Sequence, residues 1–288
     1  MGGRPPVTPA GVRAVSLLEA LVDDAGLFPP TALDLADAVR RHLADQAGRH
    51  PMLSHRFLCP ASRLAELRGR LNGGHRFRVG LIADTGVDGL SDALADIGVD
   101  PRLEIALLEV PLAAIPGGEA PAMAMVRNVA QGCAPVFFEP ASYDRVPETV
   151  RALQDGEGLK LRCGGLRAEL FPSPSVLAGA LVTAVAAGVP VKATAGLHEA
   201  VRHHDPATGF THHGYLNLLL ATAEAVAGAE AYDVRRALEI TDAAALTARL
   251  KALDERAVDR LRRTFASYGS CSTRTPIDQA RELGLAEG

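Results

Sequence analysis

Short apolar runs alternate with amphipathic stretches along nearly the whole chain, and that alternation limits what it can fold into. The segments 51–60 (PMLSHRFLCP), 75–84 (HRFRVGLIAD), 102–111 (RLEIALLEVP) and 134–140 (APVFFEP) read as strands. So do 158–165 (GLKLRCGG) and 189–198 (VPVKATAGLH). Helices are expected at about 61–71, 87–97 and 145–154. Another lies between the last two strands, where Ser173 suits an N-cap, Pro174 the first helical position and Gly188 the stop. Strands that alternate with helices imply a parallel sheet with right-handed crossovers. A first strand is expected within 20–28, after a helix near 10–20, and a last one within 263–272. A helix opened by the capping-box form Thr275-Pro276-Ile277-Asp278 would follow. The count reaches eight strands, so the expected fold is a (β/α)8 barrel of the TIM type. It would be a single domain over residues 1–288, with a helical insertion at about 201–261 after strand seven. That insertion would carry YLNLLLATAEAVAG and DAAALTARLKAL. The alternative is an open doubly wound parallel sheet, which uses the same local pattern but lacks here the glycine-rich dinucleotide fingerprint after its first strand.

Active sites of parallel barrels lie at the C-terminal ends of the strands. The strand-end regions here carry Asp23 and Asp24, His55 and Arg56, then Asp84, Glu109 and Glu139. Lys160 and Arg162, Lys192 and Thr194, and Ser270, Cys271 and Ser272 follow. Apolar strands that repeatedly finish in ionisable groups point to a ring of side chains around one mouth. Side chains two apart share a strand face, so Lys160 and Arg162 point the same way, as do Lys192 and Thr194. If Leu159 and Leu161 face the helices, Lys160 and Arg162 face the barrel axis.

Two lysines in a mostly apolar mouth have a chemical use. Burial and a neighbouring cation both disfavour an ammonium, and a neutral amine adds to a carbonyl to form a Schiff base. The pattern of a strand-six lysine followed by glycines, then a strand-seven lysine in K-x-x-x-G, resembles class I aldolases of the deoxyribose-phosphate aldolase type. That resemblance implies Lys160 as the Schiff-base lysine and Lys192 as its perturbing neighbour. Arg162 and Cys163 stand where that family has small hydroxyl residues. A second resemblance covers more of the chain. The phrases DDAGLFPP, KLRCGG, KATAGLH, HGYLN and YGSCS are similar to those of an uncharacterised bacterial barrel-like family, which implies that the five segments form a common site.

Around Lys160 the expected catalytic set is Lys192, Glu139, His213 and Asp23, with Glu139 or His213 moving protons. The expected anion-binding set is Arg56, Arg162, Thr194, His198, Arg202, Ser270, Cys271 and Ser272. A phosphate or carboxylate would sit between ATAGLH and GSCS, the loops after strands seven and eight. Histidines 198, 203, 204, 212 and 213 cluster with Asp205, but without a zinc-ligand spacing, so no metal or cofactor is favoured. The expected activity is a carbon–carbon lyase or aldolase acting on a small phosphorylated or carboxylated carbonyl metabolite. One alternative is a Mg2+-dependent lyase or isomerase that stabilises an enolate with Asp84, Glu109 and Glu139, resembling the ligand set of the enolase superfamily. Another is a non-catalytic barrel serving as a binding or scaffold protein.

Composition narrows the partners. A net charge of −4, 4% aromatic residues and no tryptophan give no basic field or stacking platform for nucleic acid. The absence of an 18-residue apolar run or an apolar leader argues against a membrane partner. Four scattered cysteines fit a cytoplasmic location. Self-association into a homo-oligomer stays open.

Overall fold

Eight parallel strands close into a barrel in the computed structural model, which describes residues 17–286. In chain order the first half is β1 (Val22–Asp24), α1 (Leu35–Gly48), β2 (Leu53–Pro60), α2 (Leu64–Arg70), β3 (Phe77–Ile82), α3 (Gly86–Val99), β4 (Leu103–Pro111), α4 (Glu119–Ala130) and β5 (Val136–Glu139). The second half is α5 (Val146–Ala152), β6 (Glu157–Arg162), α6 (Pro174–Ala186), β7 (Val191–Thr194), β8 (His203–Asp205), β9 (Phe210–His212), α7 (Tyr215–Val226), α8 (Ala231–Glu239), α9 (Ala243–Lys251), α10 (Glu255–Thr264), β10 (Phe265–Ser270) and α11 (Arg274–Glu282). The barrel runs β1-β10-β7-β6-β5-β4-β3-β2 and closes on β1, while β8 and β9 pair antiparallel outside it. The expected (β/α)8 architecture is therefore present, and the open sheet is excluded by closure.

Local signals explain most elements. Ser173 caps α6 by accepting from the Val176 N–H, with Pro174 next to it. The last helix departs from expectation: it starts at Arg274, with Ser272 Oγ accepting the Thr275 N–H at 3.1 Å, so Pro276 sits inside the first turn. The first strand shrinks to three residues, and 17–20 form a turn. The rest of the helix expected near 10–20 lies outside the described residues. The insertion is not helical throughout, because it opens with the β8–β9 hairpin before four helices follow. Within it α7 is buried on almost every side, which is why its sequence is apolar all round. The apolar stretch 168–186 has the length and composition of a membrane-spanning helix. Its continuous part, α6, has 13 residues, about 20 Å, short of a ~30 Å hydrocarbon core, and α6 packs Leu177, Ala178 and Leu181 into the core.

Glycines let large side chains fill the barrel axis. A Cβ on Gly158 would lie 2.5 Å from the Phe137 ring, one on Gly80 2.5 Å from Leu58, and one on Gly269 2.9 Å from Leu58. Leu58, Ala25 and Ile82 form a small apolar cluster of their own. β1 and β2 also send the ionisable Asp23 and Arg56 inward, so apolar and charged side chains share these strands.

Candidate functional site

The register sets the two lysines side by side. Lys160 pairs with Lys192 across β6 and β7, and Lys192 with Ser267 across β7 and β10. Leu159 and Leu161 join the core outside the barrel, so alternation turns Lys160 inward, as the sequence implied. The two ammonium groups do not simply face each other. Glu109 on β4 reaches between them, with Oε2 at 2.6 Å from Lys160 Nζ and Oε1 at 3.2 Å from Lys192 Nζ. Lys160 also meets Glu139 Oε2 at 3.0 Å, and Arg162 Nε donates to Glu139 Oε1 at 2.7 Å. On the other flank Lys192 bonds Asp23 and lies 3.2 Å from Ser267 Oγ, which donates to Asp23 Oδ2 at 2.8 Å. Asp23 also accepts from Ser54 and, at 2.7 Å, from Arg56 Nε.

This chain of charges runs from Arg56 through Asp23, Lys192, Glu109, Lys160 and Glu139 to Arg162. It holds three carboxylates and four cations. For Asp23, Glu139 and Lys160 burial opposes the charge, and the partners reverse that effect. Burial would raise the Asp23 carboxyl, but Arg56, Lys192 and Ser54 hold it well below the usual range. Burial would likewise raise Glu139, and Lys160 and Arg162 bring it down. For Lys160 burial disfavours the cation, yet Glu109 and Glu139 outweigh it and hold the pKa above its ordinary value. The expectation that Lys192 lowers the Lys160 pKa is thus reversed in the resting protein, because Glu109 stands between the cations. Both Glu109 oxygens and Glu139 Oε2 touch ammonium groups without well-formed hydrogen-bond geometry. The contacts are ionic, and these oxygens retain acceptor capacity.

A cleft of about 1340 Å³ opens over this chain of charges. Lys160, 3% exposed, is reachable from it, whereas Lys192 and Asp23 lie below. Its walls include Arg162, Thr194, His198, Arg202 and Cys271, all expected there. Four of the five similar phrases contribute: Ala25 and Phe28 from DDAGLFPP, Lys160 and Arg162 from KLRCGG, Thr194 and His198 from KATAGLH, and Gly269 and Cys271 from YGSCS. The two glycine motifs serve a backbone crossing. A Cβ on Gly164 would fall 2.8 Å from Gly196 Cα, and one on Gly196, at φ +67°, would fall 3.0 Å from Cys163 O. The lysine strands are followed by glycine because their exit loops pack backbone on backbone.

Other expected residues are placed elsewhere. Arg56 lies in the first half of β2, feels the half-buried Arg262 before β10, and closes the network from the far side, away from the cleft. Ser270 donates to Ser272 O, and Ser272 Oγ serves α11, so neither serine of GSCS offers a free hydroxyl to the expected anion cradle between ATAGLH and GSCS. His213 is 1% exposed, and burial lowers its pKa to about 4. Its Nε2–H donates to Pro172 O at 2.8 Å, and Nδ1 accepts from Arg202 at 3.2 Å. Its ring supports Arg202 from behind the cleft. HGYLN stands behind the cleft: Gly214 packs on Ala200 and Val201, and Asn217 Oδ1 accepts the Arg202 N–H. Of the carboxylates of the metal alternative, Glu109 and Glu139 meet at Lys160, but Asp84 stands apart from them. Asp84 is exposed and bonded to Ser62, while Glu109 and Glu139 face the lysines. Among the described residues no group of three or more His, Cys, Asp or Glu forms a metal-binding set.

Two participants, Ser54 and Ser267, and one contact were not singled out from the sequence. Ser54 shares a strand face with Arg56, and Ser267 with Gly269, so the period of two carried a signal for both. The contact is that of His198 with Cys271, 73 residues away, for which no local signal exists.

The fold and cleft define a closed parallel (β/α)8-type barrel whose strand-six lysine forms the cleft floor. Comparison of the chain with protein-family models, with curated proteins and with solved structures gives no match.

Proposed function

We propose that the protein is an enzyme of the carbon–carbon lyase or aldolase type, which binds a small anionic carbonyl compound and attacks it with Lys160. The carrying observation is the Lys160 amine, reachable from the cleft and 2.6 and 3.0 Å from two buried carboxylates. The cation is the resting form. Transfer of its proton to Glu109 or Glu139 leaves the charge of the cluster unchanged and frees the nitrogen lone pair. Addition to the carbonyl carbon forms the C–N bond and puts the π electrons on oxygen. That oxygen takes back the proton lent to the carboxylate, the carboxylate then removes a second proton from the nitrogen and delivers it to the new hydroxyl, and the oxygen leaves as water while the nitrogen lone pair closes the C=N bond. The resulting iminium withdraws electrons from the adjacent carbon–carbon bond, which is the purpose of such an intermediate.

The anion is met by Arg162 and Arg202 on the cleft wall. Of the acids lining the same cleft, Asp205 is tied into its own hairpin turn and Glu199 to Gln279, while Glu282 comes from α11. Cyanoborohydride or borohydride reduction in the presence of candidate carbonyl acids and carbonyl phosphates tests the reading. A stable adduct on Lys160 supports it, and turnover without any adduct overturns it in favour of a purely structural ion cluster.

A further inference from the structure

The loops after β7 and β10 bring Cys271 Sγ to 3.2 Å from His198 Nδ1, on a wall of the same cleft. Burial pushes this thiol up, but the bond and charge of His198, together with Thr31, bring it down to about 7. The other cysteines go the opposite way: burial pushes Cys59 and Cys163 to about 12 and raises Cys133. The groups facing Cys271 are His198 from the β7 loop, Thr31 from the β1 loop, Arg41 of α1 and the buried Tyr268 of β10. Arg41 donates to the Cys271 carbonyl oxygen at 2.7 Å and ties the loop to Asp24, which fixes where the sulfur sits.

We infer that Cys271 and His198 form a second reactive centre in the cleft, a thiolate–imidazolium pair that adds to the electrophilic carbon of a small anionic carbonyl compound. The proton passes from Sγ to His198 Nδ1. The sulfur lone pair forms the S–C bond, the carbonyl π electrons move to oxygen, and His198 returns the proton there. The product is a hemithioacetal, reached without any oxidant or co-reactant. This inference is independent of Lys160, since it uses neither the lysine nor its carboxylates.

Alkylation of the intact protein tests it, with each site read by peptide mass spectrometry and Cys133, exposed on the surface, as internal control. Iodoacetamide should label Cys271 with a rate–pH midpoint near 7. His198→Gln should move that midpoint up by about one unit or more, toward the ordinary thiol value, while Cys133 labelling stays the same. Iodoacetate, the anionic probe, should be favoured over iodoacetamide more strongly at Cys271 than at Cys133, and salt should erase that preference. Glyoxylate should protect Cys271 reversibly in Lys160→Met as in the wild type. No labelling of Cys271 at any pH, a wild-type midpoint above about 8, or a midpoint indifferent to His198→Gln would each overturn the proposal. Equal iodoacetate preference at the two cysteines would overturn the anionic ligand class.

Discussion

Replacing Glu109 with Gln tests the charge cluster at its centre. Glu109 is fully buried and touches Lys160 at 2.6 Å and Lys192 at 3.2 Å. At an effective dielectric constant near 20, each contact is worth roughly 5–6 kcal/mol before desolvation. Desolvating three charged groups cancels much of that total, and the amide of Gln still offers one acceptor oxygen. Removal of one member of a buried ion cluster typically costs about 3–5 kcal/mol, and that is the loss of unfolding free energy expected at pH 7. The pH dependence has a definite sign. In the wild type the Lys160 pKa is raised, so its contribution is fully present below the unfolded lysine value of about 10.4 and is lost as pH rises through the folded value. In Glu109→Gln, Lys160 keeps only Glu139 against burial, the largest opposing effect, and its folded pKa should drop below about 10.4. The unfolded chain then binds more protons, and stability rises with pH over that interval. The deficit relative to wild type should therefore shrink between pH 7 and about pH 9.5. Urea unfolding at both pH values measures it. A deficit under about 1 kcal/mol at pH 7, or one that stays constant with pH, would refute the assignment of Glu109 as the shared counter-ion.

Gly196→Ala should destabilise the fold by about 2 kcal/mol or more, since left-handed backbone costs roughly 1–2 kcal/mol and the new Cβ meets backbone of Cys163 and Gly164. For a chain of this size the melting temperature should fall by about 3 °C or more, whereas Ala195→Gly next to it, at φ +59°, should lose nothing. Arg202→Ala should weaken binding of a small carboxylate or phosphate by calorimetry about 10- to 150-fold, the loss of one charged hydrogen bond. An affinity within about twofold of wild type would remove Arg202 from the anion site.

The alternation of apolar strands with helices was enough to read the barrel, because each strand buries both faces and each crossover needs a helix. The inward direction of Lys160 was legible for a similar reason, since Leu159 and Leu161 had only the helix side to go to. What the sequence could not carry was the shear that brings β4 to the lysines. Glu109 and Lys160 are distant in the chain and sit on strands separated by β5, so local pattern offered the carboxylate as a metal ligand. Arg56 was misplaced because β2 begins well below the mouth, so its charge lies in the strand's first half. His213 looked like chemistry because nothing local shows that its ring is buried between Pro172 and Arg202. The hairpin of β8 and β9 was hidden in a histidine-rich stretch without clean alternation. Cys271 lacked a base in sequence and gained one, His198, only through folding.

The central claim is that the Lys160 amine is the nucleophile, and reductive trapping addresses it most directly. The protein is incubated with a panel of carbonyl acids and carbonyl phosphates, reduced with borohydride, digested, and read by mass spectrometry. The account predicts a secondary amine on the peptide containing Lys160, dependent on both the carbonyl compound and the reductant, and absent from Lys192. It also predicts that Lys160→Arg, which keeps the charge but not the nucleophile, abolishes turnover. Turnover by the wild type with no adduct on Lys160, or undiminished turnover in Lys160→Arg, would contradict it.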